Sequence, residues 1–195
     1  ELRTYLSADN RNAKVRAVLA EGMDIPVWLL GSSTYSAQLA AILGLPFSFA
    51  SHFAPNMLHA SLQYYRETFQ PSEVLQKPYA MAGINVIAAD TDEEAEFLAT
   101  SLYQSFLNVI RGTALPMQPP VENMDDHWEP NEEYAVNQML RYTFIGSPKS
   151  LEPKLQKFID ETDIDELMVG SNIYDHAARV RSYEILSQLN LKKDS

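Results

Sequence analysis

At 195 residues, 46% of them hydrophobic, the chain is long enough for one domain with a substantial core. Its formal net charge of -11 disfavours a broad surface for nucleic acid or an anionic membrane, which would need clustered Lys and Arg, yet leaves room for one phosphate held by neutral donors. It contains no Cys, which excludes disulfides, thiolate metal sites and Cys nucleophiles.

The first stretch, Glu1 to Leu19, reads as a polar helix arriving from something earlier, and a start on Glu in place of Met suggests a truncated or proteolysed chain. Pro26 to Leu30 is a short apolar strand that ends in Gly31-Ser32-Ser33, where a helix opens and runs to Leu43. Gly44 stops that helix as a left-handed cap would. The strand Phe47 to Ala50 leads through Ser51-His52-Phe53-Ala54 into a helix that Pro55 begins and Pro71 ends. Tyr79 to Ala88 is the clearest strand. Asp90 or Thr91 caps the amphipathic helix after it, and Asp92, Glu93 and Glu94 oppose the dipole in its first turn.

Thr113 to Pro130 is irregular, with Pro116, Pro119, Pro120 and Pro130 among acidic residues, and a loop of this length suggests an active-site lid. A helix near Asn131 to Tyr142 follows, then a capped one from Gly146-Ser147-Pro148-Lys149 onward. The last unit is the strand Glu166 to Val169 and a helix from about Tyr174 to Leu189.

This β-then-α order predicts an α/β fold with a parallel sheet covered by helices. Right-handed crossovers bring Gly31 to Ser33, Ser51-His52, Ala89-Asp90 and Gly170-Ser171 to one edge, the usual ligand edge of such sheets. The Gly-Ser-Ser turn sets hydroxyls and free N–H groups at the positive end of a helix, which suits a phosphate. Ordinary Ser capping without a ligand is the competing account. His52 lies past a strand end on that edge and is the candidate acid/base or ligand-contact residue, although a packed structural His has the same signature. His59, His127 and His176 form no metal-ligand spacing, and Glu93-Glu94 and Glu132-Glu133 are solvated first-turn charges. Walker, G-x-S-x-G and G-x-G-x-x-G motifs are absent. No apolar run approaches the roughly 18 to 20 residues of a membrane-spanning helix, and with no signal-peptide pattern the expected location is cytoplasmic.

Leu30-Gly31-Ser32-Ser33 through Gly44-Leu45-Pro46, then Phe49 to Pro55, Gly146-Ser147-Pro148, Asp165 to Val169 and Tyr174 to Arg179, resemble the luciferase-like flavin monooxygenases. The resemblance covers nearly the whole chain. It implies strands five to eight of a (β/α)8 barrel, reduced FMN and O2 as co-substrates, a small organic substrate, and a flavin reductase as partner. It also implies that Gly31, Ser32, Ser33 and Ser36 hold the FMN phosphate, and it puts the flavin-ring floor in the half not matched here. The luciferase branch has an acidic residue where Ser32 stands, so this pocket should be less negative. The exposed edges of a half-barrel further suggest a homodimer. The alternative function is a non-catalytic half-barrel that binds a phosphate-bearing ligand or only self-associates.

Overall fold

The computed structural model describes residues 2–10 and 13–193. Five parallel strands form one sheet: β1 (Leu29–Gly31), β2 (Phe47–Phe49), β3 (Ala80–Ala88), β4 (Thr143–Gly146) and β5 (Glu166–Gly170). The helices are α1 (Leu2–Leu6), α2 (Thr34–Leu43), α3 (Leu58–Thr68), α4 (Asp92–Ile110), α5 (Pro130–Met139), α6 (Pro148–Thr162) and α7 (His176–Ser187). The parallel α/β architecture expected from the sequence is therefore present.

Strand β3 is the spine. It pairs with β2 over Ala80 to Ala82, with β5 over Met81 to Asn85 and with β4 over Asn85 to Ala88. A strand has two edges, and the β5 pairing overlaps both others, so β2 and β4 share one edge of β3 end to end while β5 takes the other. Among the described residues, the outer edges of β1 and β5 pair with no strand.

Side-chain alternation then sorts the two faces. Ala80, Ala82, Ile84, Val86 and Ala88 of β3 join Phe47, Phe49, Leu29, Leu167 and Val169 in a core closed by α2, α3, α6 and α7. Ile87, on the opposite face, belongs to a second core with Ala95, Leu98, Leu102, Val136 and Ile173, which α4 and α5 build over the C-terminal end of β3. Lower on that face Leu30 and Met168 stay 66% and 58% exposed. Helices thus cover one face, and the other is apolar and partly open.

Two sequence expectations need correction. Of the polar helix expected over Glu1 to Leu19, only Leu2–Leu6 is helical; the Ser7 hydroxyl accepts from Asp9 N–H at 3.3 Å, a side-chain turn that competes with helix continuation, and residues 1, 11 and 12 lie outside the described set. Strand β4 was not anticipated. Its four residues are too short for a periodic signal, and α5 ends at Met139, so Tyr142 is the approach to a strand. Gly44 is a left-handed cap as expected, at φ 58° and ψ 38°.

Candidate functional site

The open face carries a cleft of about 370 Å3 walled by Trp28, Leu30, Met81, Met168 and His52, with Gly83 in its floor. Leu30, Ser48, Met81, Gly83 and Met168 are non-helix-facing strand positions, joined by Phe49 at the end of β2, so most of the cleft follows from the alternation. His52 enters from the loop after β2, half-buried, with Phe53 edge-on to its ring at 5.2 Å between centroids. Burial pushes the imidazole below its ordinary pKa of 6.5, and contact with the Gly83 backbone offsets this in part. The ring is therefore neutral at pH 7.

The Gly31 to Ser36 turn stands at the C-terminal end of β1, one residue beyond the cleft wall at Leu30. Gly31 C=O accepts from Ala50 N–H at 2.9 Å, which ties the turn to β2. A side chain at Gly31 would run into the Cβ and Oγ of Ser36, so the turn closes only around glycine. Ser33 is the N-cap residue, with extended backbone, but its side chain makes no capping bond. The first helical bond is that of Ala37 N–H to Ser33 C=O, leaving the N–H groups of Thr34, Tyr35 and Ser36 ahead of the ladder. The Ser36 hydroxyl donates to Ser33 C=O at 2.7 Å and would have to rotate to meet a ligand. No Asp or Glu occurs between Asp24 and Glu67. A chain of net charge -11 thus keeps carboxylates out of the segment from β1 to Arg66 of α3.

Other helix starts on this edge are closed from within. Thr91 Oγ1 accepts from Glu94 N–H to cap α4 and Asp175 accepts from Ala178 N–H on α7, while away from this edge, beside Arg111 at the far end of α4, Glu129 and Glu132 form a capping box on α5. Asp92, reaching across from α4, accepts from Ser147 N–H and the Ser150 hydroxyl at the start of α6. The Ser150 hydroxyl and the Ser147 N–H lower the Asp92 pKa to about 2. Glu132, held by Arg111, is likewise at about 2. Both values are depressed on folding, from 3.8 for Asp92 and 4.5 for Glu132, so this stability is present above those unfolded values and is lost as pH falls through about 2. Asp92→Asn should therefore flatten the fall of the melting temperature across that window, read by thermal melts at pH 4, 3 and 2.

The lid expected over Thr113 to Pro130 does not cover the cleft. Gln104 donates to Pro119 C=O, Val121 N–H donates to Thr100 and Arg111 donates to His127 C=O, which bind the segment along α4. Trp128 lies against Tyr103, whose burial raises its phenol pKa to about 12. A Pro-rich composition identified an irregular segment but not where it would be anchored. His59 packs edge-on to Tyr142 and His176 Nδ1 meets Arg179, so neither joins His52. Among the described residues, no group of His, Asp and Glu could hold a metal ion. The sequence reading missed the strand positions of the cleft: Met81, Gly83 and Met168 are visible only once β3 and β5 are read with period two.

A family model described as luciferase-like monooxygenase matches residues 4–184. A luciferase-like monooxygenase of Escherichia coli (strain K12) is 51% identical over 185 residues, covering 95% of this chain and 55% of its own length. An uncharacterized protein of Bacillus subtilis (strain 168), YvbT, is 50% identical over 190 residues, covering 97% and 56%. The chain spans about half the length of the curated relatives it matches. Among solved structures, apo-MsnO8 superposes with a TM-score of 0.78 at 26% identity, over 99% of this chain and 59% of that one. The oxygenating constituent of 3,6-diketocamphane monooxygenase from Pseudomonas putida, in complex with FMN, superposes with a TM-score of 0.58 at 17% identity, over 90% and 52%, a likeness of fold alone.

Proposed function

Because the chain belongs to the luciferase-like monooxygenase family, we propose that it is the C-terminal half of a (β/α)8 barrel, strands five to eight, in which reduced FMN and O2 oxidise a small organic substrate. The observation that carries this is the uncapped start of α2 beside an apolar cleft at the C-terminal edge of the sheet. Three free N–H groups, the hydroxyls of Ser32 and Ser33, a glycine that permits close approach and a sequence without Asp or Glu between Asp24 and Glu67 fit a phosphate dianion. Reduced flavin, when bound, supplies the electrons for O2 activation, and the chain's own task is binding and orientation.

Gly31, Ser32, Ser33 and, after rotation of its hydroxyl, Ser36 hold the phosphate. Trp28, Leu30, Met81 and Met168 offer a planar group an apolar wall and exclude water from it. His52, neutral at working pH, accepts a proton at an imidazole nitrogen facing the cleft and returns it later. A first barrel half would cover the open face and pair the free edges of β1 and β5; a second copy of the chain is the other way to cover them. A reductase supplying reduced flavin fits a cytoplasmic setting, and no described helix is long and apolar enough to cross a membrane.

The test compares FMN with riboflavin, which differs only by the phosphate. Fluorescence titration should show FMN binding at least tenfold tighter, with inorganic phosphate competing; equal affinity for the two overturns the phosphate assignment. A second reading, a non-catalytic phosphate-binding module, is favoured by the lack of Lys or Arg in the cleft lining. It predicts FMN uptake with reduced FMN reoxidised by air at the rate of the free flavin.

A further inference from the structure

Asn85 occupies the middle of β3 at 1% exposure, an expensive place for an amide in a strand that is otherwise apolar. Its Nδ2 donates to His52 C=O at 2.7 Å and to Thr143 Oγ1 at 3.4 Å, and its Oδ1 accepts from Asn172 Nδ2 at 3.2 Å. His52 C=O can only accept, which fixes the amide orientation. One side chain therefore joins the loop after β2, the start of β4 and the loop after β5.

Two residues earlier on the same face, Gly83 presents bare backbone to the His52 ring. A Cβ there would sit 2.7 Å from Nδ1. The Ser51 hydroxyl donates to Gly83 C=O at 2.6 Å, so the residue before His52 is anchored to the same point. Anchors at Ser51 Oγ and His52 C=O hold the loop backbone, and the imidazole lies over Gly83 in the cleft wall.

We propose that Gly83 and Asn85 form a built seat for His52, with Asn85 a positioning residue that fixes the backbone of the β2–α3 loop and Gly83 the gap that admits the ring. This deepens the proposed role of His52 and rests on it. A buried amide with every partner satisfied is specific in a way that Val or Ile at this position would not be, since an apolar side chain would pack the strand but leave His52 C=O unpartnered.

The test is an NMR pH titration of the imidazoles in the protein, with His52→Gln assigning the His52 signal. In the parent, His52 should titrate below 6.5, because burial outweighs the backbone contact. In Asn85→Ala and in Gly83→Ala the ring loses its burial, and the midpoint should rise toward 6.5. Both variants folded by circular dichroism with the His52 midpoint unmoved would overturn the seat. If Asn85→Ala does not fold, Gly83→Ala decides, since it removes no side-chain hydrogen bond. The His52 role fails separately: were the parent to change the rate of reduced-FMN oxidation relative to free flavin and His52→Gln to match the parent, while both seat variants shift the titration, the seat would stand and the proton role would fall.

Discussion

Phe47→Ala should unfold the protein at a temperature roughly 6–20 °C below the parent, corresponding to a loss of about 3–5 kcal/mol. Phe47 is fully buried at the start of β2, with Tyr65 of α3 and Phe49 at ring-centroid distances of 5.4 and 6.3 Å. Those neighbours cannot collapse into the space. Tyr65 is held by its hydroxyl, which donates to Leu45 C=O and accepts from Tyr79 N–H, so the ring is pinned at both ends. Short strands also give β2 little hydrogen bonding of its own, and its place in the sheet depends on this packing. The contrasting substitution is Leu19→Ala, at a side chain 96% exposed, where the change should lie within about 0.5 kcal/mol. Circular-dichroism melts of the two variants side by side give the comparison, and a Phe47→Ala melt within 2 °C of the Leu19→Ala melt contradicts the assignment of the core.

What the sequence made legible was whatever leaves a local mark. Gly44 after Leu43 announced its left-handed cap, and Thr91 before three acidic residues announced the start of α4, because caps and dipoles act within one turn. The Gly-Ser-Ser turn was legible for the same reason. Three features were not. Strand β4 exists because β3 runs nine residues and outlasts β2, leaving unpaired backbone along its upper half; that vacancy is a property of two other strands and writes nothing into Thr143 to Gly146. The Pro-rich segment is fastened by Gln104, Thr100 and Arg111, which lie on a helix before it. Asn85 leaves no local mark beyond one polar residue in an apolar strand, and only the meeting of two loops and the start of β4 at that point gives its amide a purpose.

The same distinction between local and assembled features governs the strongest test of the phosphate site. Gly31→Ala should weaken FMN binding by about 10^2 to 10^4-fold while leaving riboflavin affinity within about threefold. A methyl at residue 31 collides with the Cβ of Ser36 as well as its hydroxyl, and the Cβ cannot swing aside because it is fixed to the first turn of α2. The turn has to open. It is also clamped on the other side by Ala50 N–H to Gly31 C=O, so the displacement falls on Thr34, Tyr35 and Ser36, whose N–H groups are the free donors. Hydrogen bonds to a charged acceptor contribute about 1.5–3 kcal/mol each, and misaiming two of them accounts for the range. Riboflavin is the internal control, since ring binding against Leu30, Met81 and Met168 does not use these donors. Equal losses for both ligands would indicate that the substitution disturbs the whole β1–β2 edge, and retained FMN affinity would move the phosphate away from this turn altogether.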